Sequence, residues 1–570
     1  MARSAQLRFL QGLAADHAAA QRLGLPVDEY RDLRDSALAD PEGPSRRVLL
    51  RRAAAVGLGA AAVSLGAGVR PARADTVATT VPVAKATPGS PRIAIIGAGI
   101  SGLNAALTLA DKGVASTVYE ANPHRIGGRM YSQGSPANPG YWAQGQVSEW
   151  GGELIDTGHH TILDLCQRFG LATTAVRHVY GSQADQILWF QGGYYARSQA
   201  DLDFKPVWQN IQSDVNAGNG YSPTWNNHTA YNVTLDHMSV RDWINTRVPG
   251  GYASKLGAFL DVAYNVEYGS DTPNQSTYAL LTLLAWQVNP GSFNIWGGSD
   301  ERYHIAGGND QVPHAVAAAL PAGSVQQGYT LEAIVRNSDG TQTLTFALDG
   351  GGTATVVADH TVLTVPLPIL QQRIDLSRAG LDPMMQGVLS HMTMGMCTKL
   401  NMQFTSRPWA YTGPWPGVSN GEMFTDQAIQ QTWDVTRGQA GSSGILVQFG
   451  SGSLAAGLNP PAPFTDSSVS YTNTLAKKYL AQIETVFPGT TAAWTGKATL
   501  SDWPSNPYSL GAYSCWPVGY VTSYAGYEGT AQGNLHFAGE HTAYNFQGYM
   551  EGGALEGQRA ANEVLTAIGK

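Results

Sequence analysis

The most ordered pattern of apolar and polar positions starts near residue 92. Ile93-Ala94-Ile95-Ile96 is an unbroken apolar run of the length of a strand buried on both faces. Gly97-Ala98-Gly99-Ile100-Ser101-Gly102 follows at once, and residues 103–109 continue with apolar side chains at helical spacing. Val118-Tyr119 predicts a second strand, closed by Glu120, 18 residues after Gly102. Strand, glycine turn, helix, strand and acid in this order form a dinucleotide-binding unit. Gly97 permits the tight turn, Gly99 lets backbone amides approach a pyrophosphate, and Gly102 brings the helix against the strand. Glu120 is placed to accept from ribose hydroxyls, and the helix N-terminus offers partial positive charge to phosphate.

Other stretches are shorter. Alternation in 344–348 and 355–358 around Asp349-Gly350-Gly351-Gly352 predicts a hairpin. Residues 399–404 read as a strand, and 276–286, 312–320 and 554–568 as helices. Neither heptads nor tandem repeats occur. Residues 53–69 are apolar but rich in alanine and glycine, short of the ~20 strongly apolar residues of a membrane span.

Gly127-Gly128-Arg129 lies just past Glu120, where a nicotinamide enzyme would begin its next helix. In this place the chain resembles the flavin amine oxidase family, whose pattern runs from the acid into a GGR turn. Glu149-Trp150-Gly151-Gly152-Glu153-Leu154-Ile155-Asp156 is similar to the family's segment at the flavin. Asp359-His360-Thr361-Val362-Leu363-Thr364-Val365-Pro366 is similar to its central strand. His536-Phe537-Ala538-Gly539-Glu540-His541-Thr542, continuing to Gly548-Tyr549-Met550-Glu551-Gly552-Gly553-Ala554, is similar to its C-terminal flavin motif. The matches span residues 91–565. The resemblance implies FAD held by Gly97, Gly99, Gly102, Glu120, Gly128, Arg129, Gly151, Gly152, Glu153, Gly539, Glu540, Tyr549 and Met550, with Arg129 on the diphosphate.

The implied fold is α/β, a Rossmann-like FAD-binding domain of the amine-oxidase type with an interleaved α+β substrate domain. Residues 91–161, 297–370 and 500–568 are expected in the FAD-binding domain, and 162–296 and 371–499 in the substrate domain. Ser299-Asp300-Glu301-Arg302-Tyr303-His304-Ile305 and Gly307-Gly308-Asn309-Asp310-Gln311 resemble the family's return to the FAD domain.

Oxidising a C–N bond needs a neutral amine aligned with the flavin and a route for reoxidation; no acidic or histidine base is required in principle. The resemblance places Lys399, in Cys397-Thr398-Lys399-Leu400, where the family carries a flavin-facing lysine that holds a water and assists oxygen chemistry. Tyr513 and Tyr549 match the two walls of the family's aromatic cage, with Trp503 and Trp516 as further walls or supports. Some relatives attach FAD through a cysteine just before the first cage tyrosine; that position is Ala512, so non-covalent FAD is expected.

Substrate choice is less legible. L-amino-acid oxidases of the family place an arginine clamp where this chain has Gly151-Gly152-Glu153-Leu154, and Glu153 would repel a carboxylate. This favours oxidative deamination of a primary amine, with O2 reduced to H2O2. L-amino-acid oxidation is the alternative, with Arg302 or Arg197 as the carboxylate ligand. A flavin desaturase acting on C–C bonds would share the nucleotide motifs without needing Lys399 or the paired tyrosines.

Ser45-Arg46-Arg47-Val48-Leu49-Leu50 resembles a twin-arginine export signal, and Ala72-Arg73-Ala74 a cleavage site, so export with only transient membrane contact is expected. Residues 1–74 hold 11 arginines, no lysine and 7 acids; without them 24 basic residues face 36 acidic ones. That balance is poorly suited to nucleic acid and mildly favours cationic small molecules. Cys166, Cys397 and Cys515 lack paired spacing, which argues against structural zinc and a disulfide framework, though one bridge stays open. His159-His160 and His541 have no ligand-spaced partners, so no metal is expected. A homodimer is left open.

Overall fold

In the computed structural model, which describes residues 90–285 and 294–570, Ile93–Ile96 lies at the centre of a five-stranded parallel sheet. The order across it is Leu535–Phe537, His360–Leu363, Ile93–Ile96, Thr117–Glu120, Val325–Gln327. Successive side chains of a strand point to opposite faces, and both faces are covered. Ile93 and Ile95 pack with Leu103, Leu107, Ala560 and Val564 of the helices Ile100–Asp111 and Met550–Ala567. Ala94 and Ile96 pack the other way, with Leu331, Leu344 and Phe346 of a four-stranded sheet. The unbroken apolar run follows from this double burial.

The first and last helices cross closely because glycine allows it. A Cβ on Gly557 would stand 2.0 Å from the Ser101 carbonyl oxygen, and Asn104 Nδ2 donates to Ala554 O at 2.7 Å. The two ends of the described chain are thereby locked side by side at the edge of the glycine turn.

The second large element is a nine-stranded sheet whose centre is formed by Trp494–Asp502, Cys397–Phe404, Gly444–Ser451 and Gln431–Asp434. Every residue of Cys397–Phe404 is buried. The helix Lys255–Tyr268 packs across this sheet, capped at its start by Ser254, which accepts from Gly257 N, and ended by Gly269 in the left-handed region at φ 65°. Met396 N donates to Gly269 O at 2.7 Å, so the helix end and the start of the strand carrying Lys399 are tied together.

The predicted hairpin is Gln342–Leu348 with Thr353–Ala358, paired antiparallel. The other predicted elements are Cys397–Phe404, Thr277–Leu284, Gln311–Ala319 and Met550–Ala567. The last begins four residues before the predicted start. Its added turn carries Glu551, whose carboxylate accepts from Thr161 N and Ile162 N at 2.9 Å and caps the helix His160–Arg168.

Three of the expected domain boundaries need correction because they cut elements. The 161/162 boundary falls in His160–Arg168, 370/371 in Leu367–Gln372, and 499/500 in Trp494–Asp502. Asp375–Arg378 also pairs with Tyr329–Arg336, so the middle FAD-side segment extends past 370. All three cysteines are free and buried. Among the described residues no helix is long and apolar enough to cross a membrane. The expected export signal, the apolar stretch after it and the expected cleavage site lie outside the described residues.

Candidate active site

A cavity of about 640 Å³ runs from the glycine turn to the inner face of the nine-stranded sheet. At its first end the three glycines differ in what they face. Gly97 has φ 103°, a conformation L side chains rarely adopt. A Cβ on Gly102 would stand 2.0 Å from Gly97 O, whereas one on Gly99 would meet only Gly128 Cα, at 4.0 Å. Gly99 thus leaves bare backbone facing the cavity. Ser101 Oγ, also in the lining, is buried with no hydrogen-bond partner among the described residues, at the N-terminus of the helix Ile100–Asp111. An orphaned hydroxyl beside helix N–H groups suits phosphate oxygens.

Glu120 closes this end. Its carboxylate accepts from Ala98 N at 2.6 Å and Asn122 N at 2.8 Å, and burial raises its pKa. Arg129 lines the cavity, but its Nη1 is committed to Glu540 Oε1 at 2.8 Å and Ala512 O at 2.7 Å. It is half of a partly buried ion pair, which fixes the guanidinium in the cavity wall. Burial opposes charge on Glu540, but Arg129, His541 and hydrogen bonds from Ser514 outweigh it and hold the carboxyl below its usual range. Arg125, which sequence reasoning passed over, also lines this end, its Nη1 on Gly128 O at 2.7 Å.

Gly151 and Gly152 form the middle wall. A Cβ on Gly151 would stand 2.0 Å from Arg129 O, and one on Gly152 would meet Met550 at 2.9 Å. Lys399 reaches this wall from its strand, Nζ donating to Gly151 O and Glu153 Oε2, both at 2.8 Å. Trp433 Nε1 donates to the other oxygen of Glu153 at 2.9 Å. Burial opposes charge on Glu153, yet Lys399 and these bonds hold its carboxyl below the ordinary range. The expected repulsion of a carboxylate by Glu153 is thus cancelled, because its charge is neutralised where it sits.

Tyr513 and Tyr549 line the far end together with Gly539, Gly548 and Met550. Both phenols bind the last turn of Lys255–Tyr268: Tyr513 donates to Val266 O at 2.9 Å, and Tyr549 to Glu267 Oε1 at 3.2 Å. Val266 O is one of the four carbonyls that a helix end leaves without an internal partner. Beyond them the lining holds Glu301, Glu422, Gln431, Arg437 and Trp296. Burial, then Glu422 and Asp156, push Glu301 well above the carboxylate range; burial also raises Glu422, against the pull of Arg437. Glu301 has φ 44°, a strained value for a non-glycine residue, and its N–H donates to Asp156 at 2.7 Å.

The sequence model of the family described as flavin containing amine oxidoreductase matches residues 100–565. The chain belongs to this family. It is 24% identical to an L-amino acid dehydrogenase of Synechocystis sp. over 83% of this chain and 94% of that protein. It is 25% identical to a flavin-containing amine oxidase of Danio rerio (84% and 86%) and 25% to an L-amino-acid oxidase of Mus musculus (84% and 71%). The fold is shared with cyclohexylamine oxidase from Brevibacterium oxydans, at TM-score 0.68 and 21% identity over 84% of this chain and 100% of that one. Putrescine oxidase bound to putrescine aligns at TM-score 0.65 and 19% identity over 84% and 99%.

As a flavin amine oxidoreductase the protein uses FAD, and the lining fits that group. Orphaned Ser101 Oγ and the bare Gly99 backbone suit the phosphates, while Gly151 and Gly152 keep the middle wall flat. The cofactor is held non-covalently: Ala512 lines the wall without a thiol, and Cys515 lies outside the lining. Cys397 does line it, but burial pushes its thiol up to about 12, and it donates to Tyr513 at 3.2 Å.

Three expected substrate residues lie elsewhere. Trp516 is outside the lining and packs in the core against Tyr544, ring centroids 5.6 Å apart. Arg302 is also outside; the backbone reverses at Glu301, which enters the lining while the Arg302 guanidinium lies over the Tyr303 ring. Arg197 pairs with Asp185 and Asp201, away from the lining. The arginine that does reach this end is Arg437.

The acids at this end escaped sequence reasoning. One signal existed for Glu267: it falls three and four residues after buried Tyr264 and Ala263, an acid on the apolar stripe of its helix. Glu422 lies in a strand where alternate residues are buried and gives no such signal.

Proposed function

We propose that the protein oxidises a primary amine, with dioxygen as electron acceptor and aldehyde, ammonia and hydrogen peroxide as products. The observation that carries this reading is the acid-rich end of the cavity. Glu267, Glu301 and Glu422 line it against one arginine, Arg437. Burial raises all three carboxyls, and Glu422, Asp156 and Glu267 raise Glu301 further; an ammonium placed among them relieves these costs. Bound FAD supplies the two-electron acceptor. The chain's own groups orient and desolvate: Tyr513 and Tyr549 offer ring faces to the amine. Lys399, with two of its three N–H donors on Gly151 and Glu153, has one left for a water near the flavin.

Arg437 favours a second reading, oxidation of an L-amino acid whose carboxylate it would take. Glu301 and Glu422 weaken it, because both acids already act on Arg437. Peroxide release measured side by side with tyramine, putrescine, L-phenylalanine and L-lysine decides between them. Turnover of the amines supports the first reading, and turnover confined to the amino acids the second. Anaerobic bleaching of the flavin without peroxide in air would keep the amine reading and remove oxygen as acceptor.

A further inference from the structure

We propose that Glu267 is the base that takes the substrate ammonium's proton, so that the amine reaches the two phenol rings neutral; this rests on the amine reading above. A primary ammonium carries no lone pair for oxidation, and most of an alkylamine is protonated at neutral pH. The cavity therefore needs a proton acceptor next to the amine's position.

The other titratable groups there are engaged, Glu301 and Glu422 both acting on Arg437. Tyr513 and Tyr549 already donate to Val266 O and Glu267, and burial raises both phenols well above 10. Lys399 is paired with Glu153, and the Cys397 thiol donates to Tyr513. Glu267 differs from Glu153 and Glu540, each held ionised by a cation. Its Oε1 accepts from Tyr549, its Oε2 accepts from no group among the described residues, and its side chain lines the cavity.

Its placement keeps the carboxyl near the right affinity. Glu267 is in the last turn of Lys255–Tyr268, where the helix's partial negative charge disfavours a carboxylate. The groups acting with it are Asp156 and Glu301, both acids, with Tyr264, Tyr268, Tyr513, Tyr549 and Cys397. Burial, with Asp156 against the Tyr549 bond, raises Glu267 to about 7. A base poised there is half ionised at neutral pH. The step balances: R–CH2–NH3+ and the Glu267 carboxylate give R–CH2–NH2 and the Glu267 carboxylic acid, which loses its proton to water when product leaves.

Two measurements test this with the FAD-loaded enzyme, its Glu267→Gln variant (which keeps an oxygen acceptor for Tyr549) and Glu267→Asp. Tetramethylammonium, which has no proton to give, is titrated by its perturbation of the flavin spectrum. Its affinity in the parent protein should rise about tenfold from pH 6 to pH 8, as a group of pKa near 7 ionises. In Glu267→Gln the rise centred near 7 should be lost. Anaerobic flavin reduction by tyramine, putrescine and phenethylamine is then followed from pH 5.5 to 10. The parent should show a rising limb near 7 that Glu267→Asp retains. Glu267→Gln should move that limb toward the amine's own pKa, with about a hundredfold loss at pH 7. An unchanged profile in Glu267→Gln, or uniform loss at every pH with flavin content intact, overturns the assignment. A pH-flat tetramethylammonium affinity in the parent also overturns it. If the parent shows the tetramethylammonium dependence but no amine reduces the flavin, the amine reading fails and the role of Glu267 as its base goes with it.

Discussion

The Lys399 ammonium and Glu153 Oε2 lie 2.8 Å apart in the cavity wall, each nearly excluded from solvent. Neither charge would be tolerated there alone, since breaking a buried pair costs about 3–5 kcal/mol. The pair places a cation beside Gly151 while adding no net charge to the cavity.

Lys399→Met should therefore slow reoxidation of reduced flavin by oxygen, by about 10²-fold, more than it slows anaerobic reduction by an amine. Stopped-flow measurement of the two half-reactions checks this, and equal slowing contradicts the oxygen role. Because Glu153 is left unpaired, the variant should also melt earlier, and Glu153→Gln in the same chain should recover part of that loss.

Two glycines of the first turn should separate folding from cofactor binding. Gly102→Ala forces a methyl to 2.0 Å from Gly97 O and should cost about 3 kcal/mol or more. Gly99→Ala meets only Gly128 Cα at 4.0 Å, and Gly99 has φ −72°, which alanine adopts freely. It should leave the apoprotein's melting temperature nearly unchanged while lowering flavin content. Comparable melting temperatures for the two variants would refute the distinction.

His541 should make the protein acid-sensitive. Both its ring nitrogens are buried without hydrogen-bond partners among the described residues, and burial pushes its pKa down to about 4. The unfolded chain, titrating near 6.5, then binds more protons than the folded one between those values. Stability is complete above about 6.5 and is lost as pH falls toward 4, by about 2 kcal/mol at pH 5. Thermal melts of the parent and of His541→Phe, from pH 7 to pH 4.5, should diverge; parallel curves would count against it.

The acids beyond the phenols should set selectivity. Glu301→Gln with Glu422→Gln should raise KM for putrescine and tyramine about tenfold. It should also improve turnover of L-phenylalanine, because Arg437 is then released from its acidic neighbours. No change in the ratio of amine to amino-acid turnover would show that these carboxylates do not face the substrate.

Much of the cofactor end was legible because its signals are local. Gly97, Gly99, Gly102 and Glu120 act through one turn and one strand end, and their spacing alone places them. The substrate end was not. Arg302 and Glu301 are neighbours in the same motif, yet the left-handed backbone at Glu301 sends only one of them into the lining. Trp516, three residues from Tyr513, turns into the core.

Local pattern thus established the α/β nucleotide unit, because short-range backbone geometry and strand burial dictate those residues, and the resemblance of its motifs gave the family and its cofactor. Packing between distant segments decided the rest. Lys399 meets Glu153, Arg129 meets Glu540, and Tyr549 meets Glu267 only after the chain has crossed between the two large sheets. Each partner lies 246 or more residues away in sequence, where no periodicity carries information about charge neutralisation.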